Sequence, residues 1–189
     1  MLFIASSVEN QSEHAKFRPV NSSQAETEIV LEDGVELRIP HMYDGRHMWN
    51  LAKATGVLDL NSSYSYILWC RDFAETSVVA YVDGQPAGFI TAYRRPQHPD
   101  TLMVWQVAVN ADFRGRKIAG SMLDQLVKRT RAQRLETTIT DDNAASHRLF
   151  TSLAERHGAT CQRSPLITTD MYPDDHDTEY LYEIAPLSQ

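Results

Sequence analysis

The segment WQVAVNADFRGRKIAGSML, from Trp105 to Leu123, constrains the fold more than any other part of the chain. The run at 102–109 is apolar with little alternation, as expected of a strand covered on both faces. A short loop leads through Arg114, Gly115, Arg116, Lys117, Ile118 and Ala119 into a stripe of Ile118, Met122, Leu123, Leu126 and Val127. That spacing predicts an amphipathic helix over 116–134. A buried strand that turns directly into a helix leaves backbone N–H groups unpaired at the positive end of the helix dipole. Such a loop is a ready site for a diphosphate, and Arg114, Arg116 and Lys117 add positive charge. Taken alone, it is equally a basic surface turn, so the elements around it decide.

Upstream, residues 35–39 alternate apolar and polar as a half-buried strand does, and Pro40 ends it. Met48, Leu51 and Ala52 mark a helix over 44–55, stopped at Gly56. Asp59, Asn61, Ser62 and Ser63 form a loop of capping side chains before a helix over 64–73. A β-branched strand at 77–82 turns through Asp83-Gly84, a strong hairpin signal, into a strand at 88–93. Residues 96–100 read as a loop. Downstream of the central helix come a strand at 135–140, then Asp141, Asp142 and Asn143 as caps of a helix to His157. Strands at 159–163 and 179–184 follow. The loop between them, 164–178, is long for a hairpin, which marks it as functional. The reading is one α/β (α+β) domain over 34–189, with a central mixed, mostly antiparallel sheet flanked by helices. Residues 1–33 are polar and aperiodic and are expected to form a disordered tail.

The net charge of −7 argues against nucleic acid as a partner and favours a small cation. Cys70 and Cys161 stand far apart in no metal-like spacing, so neither a disulfide nor a metal site is expected. No apolar run approaches the ~18 residues of a membrane span. The first residues lack the basic start and apolar length of a secretion signal. A cytoplasmic location is the expectation.

The element order and the loop resemble the GNAT N-acetyltransferases. The acyl-CoA motif of that family begins with Arg or Gln, has Gly at its fourth place and Gly or Ala at its sixth. Arg114 fits the first place and Ala119 the sixth, whereas Lys117 stands where Gly is usual. The resemblance implies acetyl-CoA as cosubstrate, its diphosphate on Arg114, Gly115, Arg116, Lys117, Ile118 and Ala119. It implies that the backbone of Val107 and Val109 pairs with the pantetheine arm, an amide there polarising the thioester carbonyl. Asn143 and Ser146 would contact the cofactor, although Asn143 reads equally as a helix cap. The tyrosine that often protonates the departing thiolate is replaced by Phe150, which leaves water, Tyr172, Tyr180 or Tyr182 for that role.

A narrower resemblance rests on LDLNSSYSYILWCRDF, TSVVAYVDGQPAGFITAYRRPQHPDTLMVWQVAV, TITDDNAASHRLFTSLAERHGA and DDHDTEYLYEI. Together these are similar to the diaminobutyrate acetyltransferases of ectoine biosynthesis, across 35–184. That implies acetylation of the 4-amino group of L-2,4-diaminobutyrate, and a homodimer. The residues agree chemically, since two ammonium groups and a carboxylate need both anionic and donor partners. Asp59 with Asn61 and Ser62 supplies both kinds, His176 and Glu179 are second contacts, and Trp105 can wall the pocket. Each has a plainer reading: Asp59 as a helix cap, Trp105 as core, His176 as a solvated side chain. Glu179, Asp59 and His176 are the base candidates for deprotonating the amine. Neither cysteine has a paired base, so direct attack in a ternary complex is expected. The rival readings are another small-amine or polyamine acetyltransferase, and a CoA-binding module without activity.

Overall fold

The computed structural model describes residues 29–31 and 34–187. Eight strands form one sheet in the order β1-β2-β3-β4-β5-β6-β8-β7. They are β1 Ile29–Val30, β2 Val35–Arg38, β3 Val78–Val82, β4 Gln85–Arg95, β5 His98–Val109, β6 Arg134–Ile139, β7 Thr160–Ile167 and β8 Glu179–Ala185. Every neighbouring pair is antiparallel except β5–β6. The helices are α1 Gly45–Thr55, α2 Ser63–Asp72, α3 Ile118–Thr130 and α4 Ala144–His157.

Alternation along β3 assigns the helices to two faces. Val78, Ala80 and Val82 pack with Met122, Leu126, Phe150 and Leu153 of α3 and α4. Val79 packs with Met48, Tyr66 and Cys70 of α1 and α2. Gly88 permits the closest approach within the sheet. A Cβ there would lie 2.8 Å from the Ala108 carbonyl oxygen and 3.0 Å from the Met122 methyl, beneath the end of β5.

Several boundaries differ from the sequence reading. Ile29 and Val30 pair with Leu37 and Glu36, so the sheet begins before the expected boundary at 34. The rest of the expected tail, 1–28 and 32–33, lies outside the described residues. β4 and β5 are longer than expected, and the loop expected at 96–100 shrinks to a turn at Pro96-Gln97. α3 stops at Thr130 because Arg131 takes a left-handed conformation (φ 50°), and Arg134 already belongs to β6. β7 extends through Pro165, which an edge strand tolerates since its N–H side need not pair. It is an edge because β8 inserts between β6 and β7.

Two irregularities shape the site. Thr91 pairs with Gln106 but Ala92 pairs with Val104, so Trp105 is the extra residue of a β-bulge. The bulge reverses the alternation: Leu102 and Val104 face α3, yet Ala108 faces α1 and α2. In addition, β5 and β6 are in register only from Thr101↔Arg134 to Val104↔Thr137. Beyond that point the two strands part, and Gln106 to Val109 pair with β4 alone.

Candidate active site

The basic loop leaves β5 at Asn110, whose Oδ1 accepts from the Asp112 amide at 3.1 Å. Gly115 (φ 83°) and Lys117 (φ 58°) both adopt the left-handed region. For lysine that costs on the order of 1 kcal/mol, a cost glycine would not incur. The family's usual Gly therefore matches the backbone this position requires, and Lys117 adopts it regardless. Lys117 offers no side-chain cap to α3, which leaves the first amides of the helix to an external acceptor. Arg114, Gly115 and Lys117 are exposed and Arg116 is half-buried. The Ile118 side chain is in the core, so only its backbone faces a ligand. Gly115→Val is expected to raise the KM for acetyl-CoA about tenfold, because a β-branched residue resists positive φ. A Cβ at Gly115 meets nothing within 4 Å, so the fold should persist, with the melting temperature lowered by a few degrees through the backbone strain alone. Unchanged saturation by acetyl-CoA would remove the loop from the site.

The parting of β5 from β6 exposes the backbone edge at Val107 and Val109. The side chains of both pack half-buried against the α3 core. Across the opening lies the start of α4. Asn143 is its cap, accepting the Ser146 amide at 3.0 Å, so the capping reading holds for its side chain. Phe150 is buried in the core. Of the three tyrosines weighed as proton donors, the Tyr182 hydroxyl shares a 2.6 Å hydrogen bond with His147 Nδ1. Tyr180 lies 3.6 Å under the Arg163 guanidinium, and Tyr172 stacks on His176.

On the other face of the sheet the Asp59 loop meets β5. Ser62, rather than Asp59, caps α2: its hydroxyl accepts the Ser65 amide at 3.3 Å and lies 2.8 Å from the Ser65 hydroxyl. Ser62 is thus committed to the helix as a cap, and the exposed Asp59 carboxylate is not. Trp105 is 42% exposed, which excludes the core reading, and it stacks on Trp69 with ring centroids 4.6 Å apart. Trp105, Trp69, Asn61, Ser65, Tyr66 and Thr91 line one recess.

Glu179 opens β8 beside the end of β6, where β5 and β6 part. Its Oε2 is buried with no hydrogen-bond partner among the described residues. Burial, then the charges of Asp59 and Asp142, raise its pKa above the ordinary carboxylate value; the Thr138 hydroxyl and His176 oppose them. Asp59, His176 and Glu179, 120 positions apart at the extremes, are therefore brought within electrostatic reach. His176 Nε2 lies 3.6 Å from Asp174 Oδ1. Among the described residues no group of three or more His, Cys, Asp or Glu side chains is placed to hold a metal. No described helix is long and apolar enough to cross a membrane.

Two residues at this face escaped the sequence reading. Gln106 and Tyr66 are buried and bonded to one another, Tyr66 donating to Gln106 Oε1 at 2.9 Å. Gln106 was hidden within an apolar strand. A single polar residue in such a run, followed by a reversal of periodicity, was the available signal.

The comparisons with known proteins agree with this geometry. The acetyltransferase (GNAT) family pattern matches residues 44–154. The L-2,4-diaminobutyric acid acetyltransferase of Streptomyces avermitilis is 52% identical over 166 residues, covering 85% of this chain and 93% of that protein. The enzyme of the same name from Streptomyces coelicolor is 55% identical over 155 residues, 79% of this chain and 91% of that one. Among solved structures, diaminobutyrate acetyltransferase EctA from Paenibacillus lautus, in complex with L-2,4-diaminobutyric acid and coenzyme A, superposes with a TM-score of 0.78. It is 39% identical and covers 82% of this chain and 96% of its own. Together with an open β5 edge that leads into an uncapped helix, these matches show that the chain belongs to the diaminobutyrate acetyltransferases of the GNAT family.

Proposed function

We infer that this protein transfers the acetyl group of acetyl-CoA to L-2,4-diaminobutyrate, at the 4-amino nitrogen. The observation that carries the catalytic part of this reading is Glu179, a half-buried carboxylate whose Oε2 is buried and unpartnered among the described residues, at the opening between β5 and β6. A primary ammonium has a pKa near 10 and must lose a proton before it attacks. With its raised pKa, Glu179 is a better matched acceptor than an ordinary carboxylate. The freed amine attacks the thioester carbon, and the developing oxyanion faces the free backbone amides of β5 near Val107 and Val109. The C–S bond then breaks and the CoA thiolate takes up a proton. The diphosphate would rest on residues 114–119 at the N-terminus of α3.

At the far end, Asp59 and Asn61 hold the α-ammonium and α-carboxylate, and His176 and Trp105 wall the pocket. Clamping that end directs the 4-amino group toward the thioester and lowers the entropic part of the barrier. Thiol release from acetyl-CoA should be supported by diaminobutyrate and at least about a hundredfold less efficiently by 1,3-diaminopropane, which leaves the carboxylate donors unpaired. Product NMR should show the 4-acetyl compound. A predominantly 2-acetyl product would overturn the orientation, and equal use of diaminopropane would overturn the clamp.

A homodimeric, cytoplasmic protein is part of the same proposal. The exposed edge strand β7, with Leu166 and the neighbouring Met171 open to solvent, supports self-association. Free Cys70 and Cys161 suit a reducing compartment.

A further inference from the structure

The side chain of Gln106 is buried on β5, one residue before Val107, and uses both ends of its amide. Its Nε2 donates to the Asp59 carbonyl at 2.9 Å, and its Oε1 accepts from the Tyr66 hydroxyl at 2.9 Å. Its own backbone N–H is fixed by the Thr91 hydroxyl at 3.0 Å. The bulge at Trp105 turns Gln106 toward α2. Tyr66 stands on α2 and its ring edge meets Phe89 of the sheet, so the acceptor end of the amide is anchored to a rigid element. The Asp59 backbone has far less to hold it: around it the loop is exposed, with Asn61 Nδ2 donating to the same Asp59 carbonyl at 3.3 Å. A buried amide with both groups satisfied specifies one arrangement, because any shift leaves a buried polar group unpaired.

We infer that Gln106 is a positioning residue that sets the distance between the Asp59 loop and the β5 backbone, and thereby the selectivity for an amine bearing a carboxylate. The inference rests on the diaminobutyrate reading for its substrate, while the tie itself does not depend on it. Gln106 touches no reacting atom. It links the strand that faces the thioester to the loop that holds the far end of the substrate. Two elements that must agree on one substrate length are thus joined through Gln106, with Tyr66 bonded both to it and to Asn61 of the loop.

The test uses Gln106→Met, close in size but unable to form either bond, and Tyr66→Phe, which leaves the Asp59 tie in place. In Gln106→Met the KM for diaminobutyrate should rise about tenfold or more, and the preference over 1,3-diaminopropane should shrink by a similar factor. Acetyl-CoA saturation should stay within about twofold. Tyr66→Phe should retain most of the preference. Hydrogen exchange, read without any substrate, should be faster at the amides of 59–63 in Gln106→Met and unchanged in β5 and α3. Wild-type selectivity in an active Gln106→Met variant, or unchanged exchange in its loop, would overturn the inference. So would equal damage to acetyl-CoA and diaminobutyrate saturation, or a Tyr66→Phe variant as unselective as Gln106→Met. Failure of the wild-type protein to acetylate diaminobutyrate would instead overturn the substrate reading, and the exchange experiment would still decide the tie.

Discussion

Glu179→Gln is expected to lower kcat/KM for diaminobutyrate by roughly a hundredfold to ten-thousandfold, the range general-base catalysis supplies. The amide keeps the shape of the carboxylate and cannot accept the ammonium proton. Acetyl-CoA saturation should be little changed, because Glu179 stands on β8 whereas the loop at 114–119 follows β5. The pH profile gives a second reading. A base works only when ionised, so activity should fall as pH drops through the raised Glu179 pKa. Asp59 contributes to that rise, so Asp59→Asn should move the acid limb to lower pH, besides weakening diaminobutyrate binding. Steady-state thiol release across pH measures both effects. If Glu179→Gln retained wild-type turnover with the same acid limb, the base would have to be sought elsewhere.

The largest expected effect on stability is at Asp44. This side chain is 5% exposed, and it accepts from Arg38 Nη1 at 2.7 Å, Arg38 Nη2 at 2.9 Å and the His41 amide at 2.6 Å. The Tyr81 hydroxyl donates to Oδ1, which also accepts from Arg38 Nη2. Burial alone would raise its pKa, but the hydrogen bonds from Arg38, Tyr81 and the His41 amide outweigh burial and hold it below the usual carboxylate value. Asp44→Ala takes from the half-buried Arg38 its bidentate partner, leaving it Glu36 and the Ile39 carbonyl, and strips the Tyr81 hydroxyl and the His41 amide of their acceptor, a loss of about 3 kcal/mol. In a chain of this size that corresponds to a fall in melting temperature of roughly 10 °C. The sign of the pH dependence follows from the lowered pKa. The contribution is fully present above the unfolded value near pH 4 and is lost as pH falls through the folded value. Thermal melts of the two proteins should therefore differ most near neutrality and converge in acid. A constant difference down to pH 2 would show that lost packing, and not the charge, sets the cost.

The two cores and the strand–loop–helix at 105–123 were legible because periodicity and loop chemistry are local. Helix ends at Gly56 and Gly158 follow from glycine in left-handed caps, as read from the sequence. The end of α3 did not, because Arg131 adopts the same conformation without being glycine. The insertion of β8 between β6 and β7 is a matter of topology, and strand patterns say nothing about order in a sheet. At the site, Asp59, Trp105, His176 and Glu179 were found as residue types suited to a diamine. That Asp59 and His176 lie within electrostatic reach of Glu179 depends on pairings such as Ile139↔Tyr180, which no local pattern encodes. Ser62 and Asn143 were each read as caps as well as ligands, and both cap the first turn of the helix that follows, a bond local enough to be legible. Gln106 joins residues 40 and 47 positions away, a range at which hydrophobic spacing carries no information.

The short register between β5 and β6 has a thermodynamic consequence. Among the described residues, the strand pairing that joins β1 to β5 with β6, β8 and β7 is the stretch from Thr101↔Arg134 to Val104↔Thr137. On the proposed placement the pantetheine arm occupies the opening as an additional member of the sheet, bonded to β5 where β6 is not. A ligand that binds only the folded chain adds stability by mass action, about 2.7 kcal/mol at a hundred times its Kd. Here that stabilisation falls on the seam between the two halves of the sheet. The cofactor pool of the cell would then govern how often the seam opens, and with it how often β6 is exposed to proteolysis.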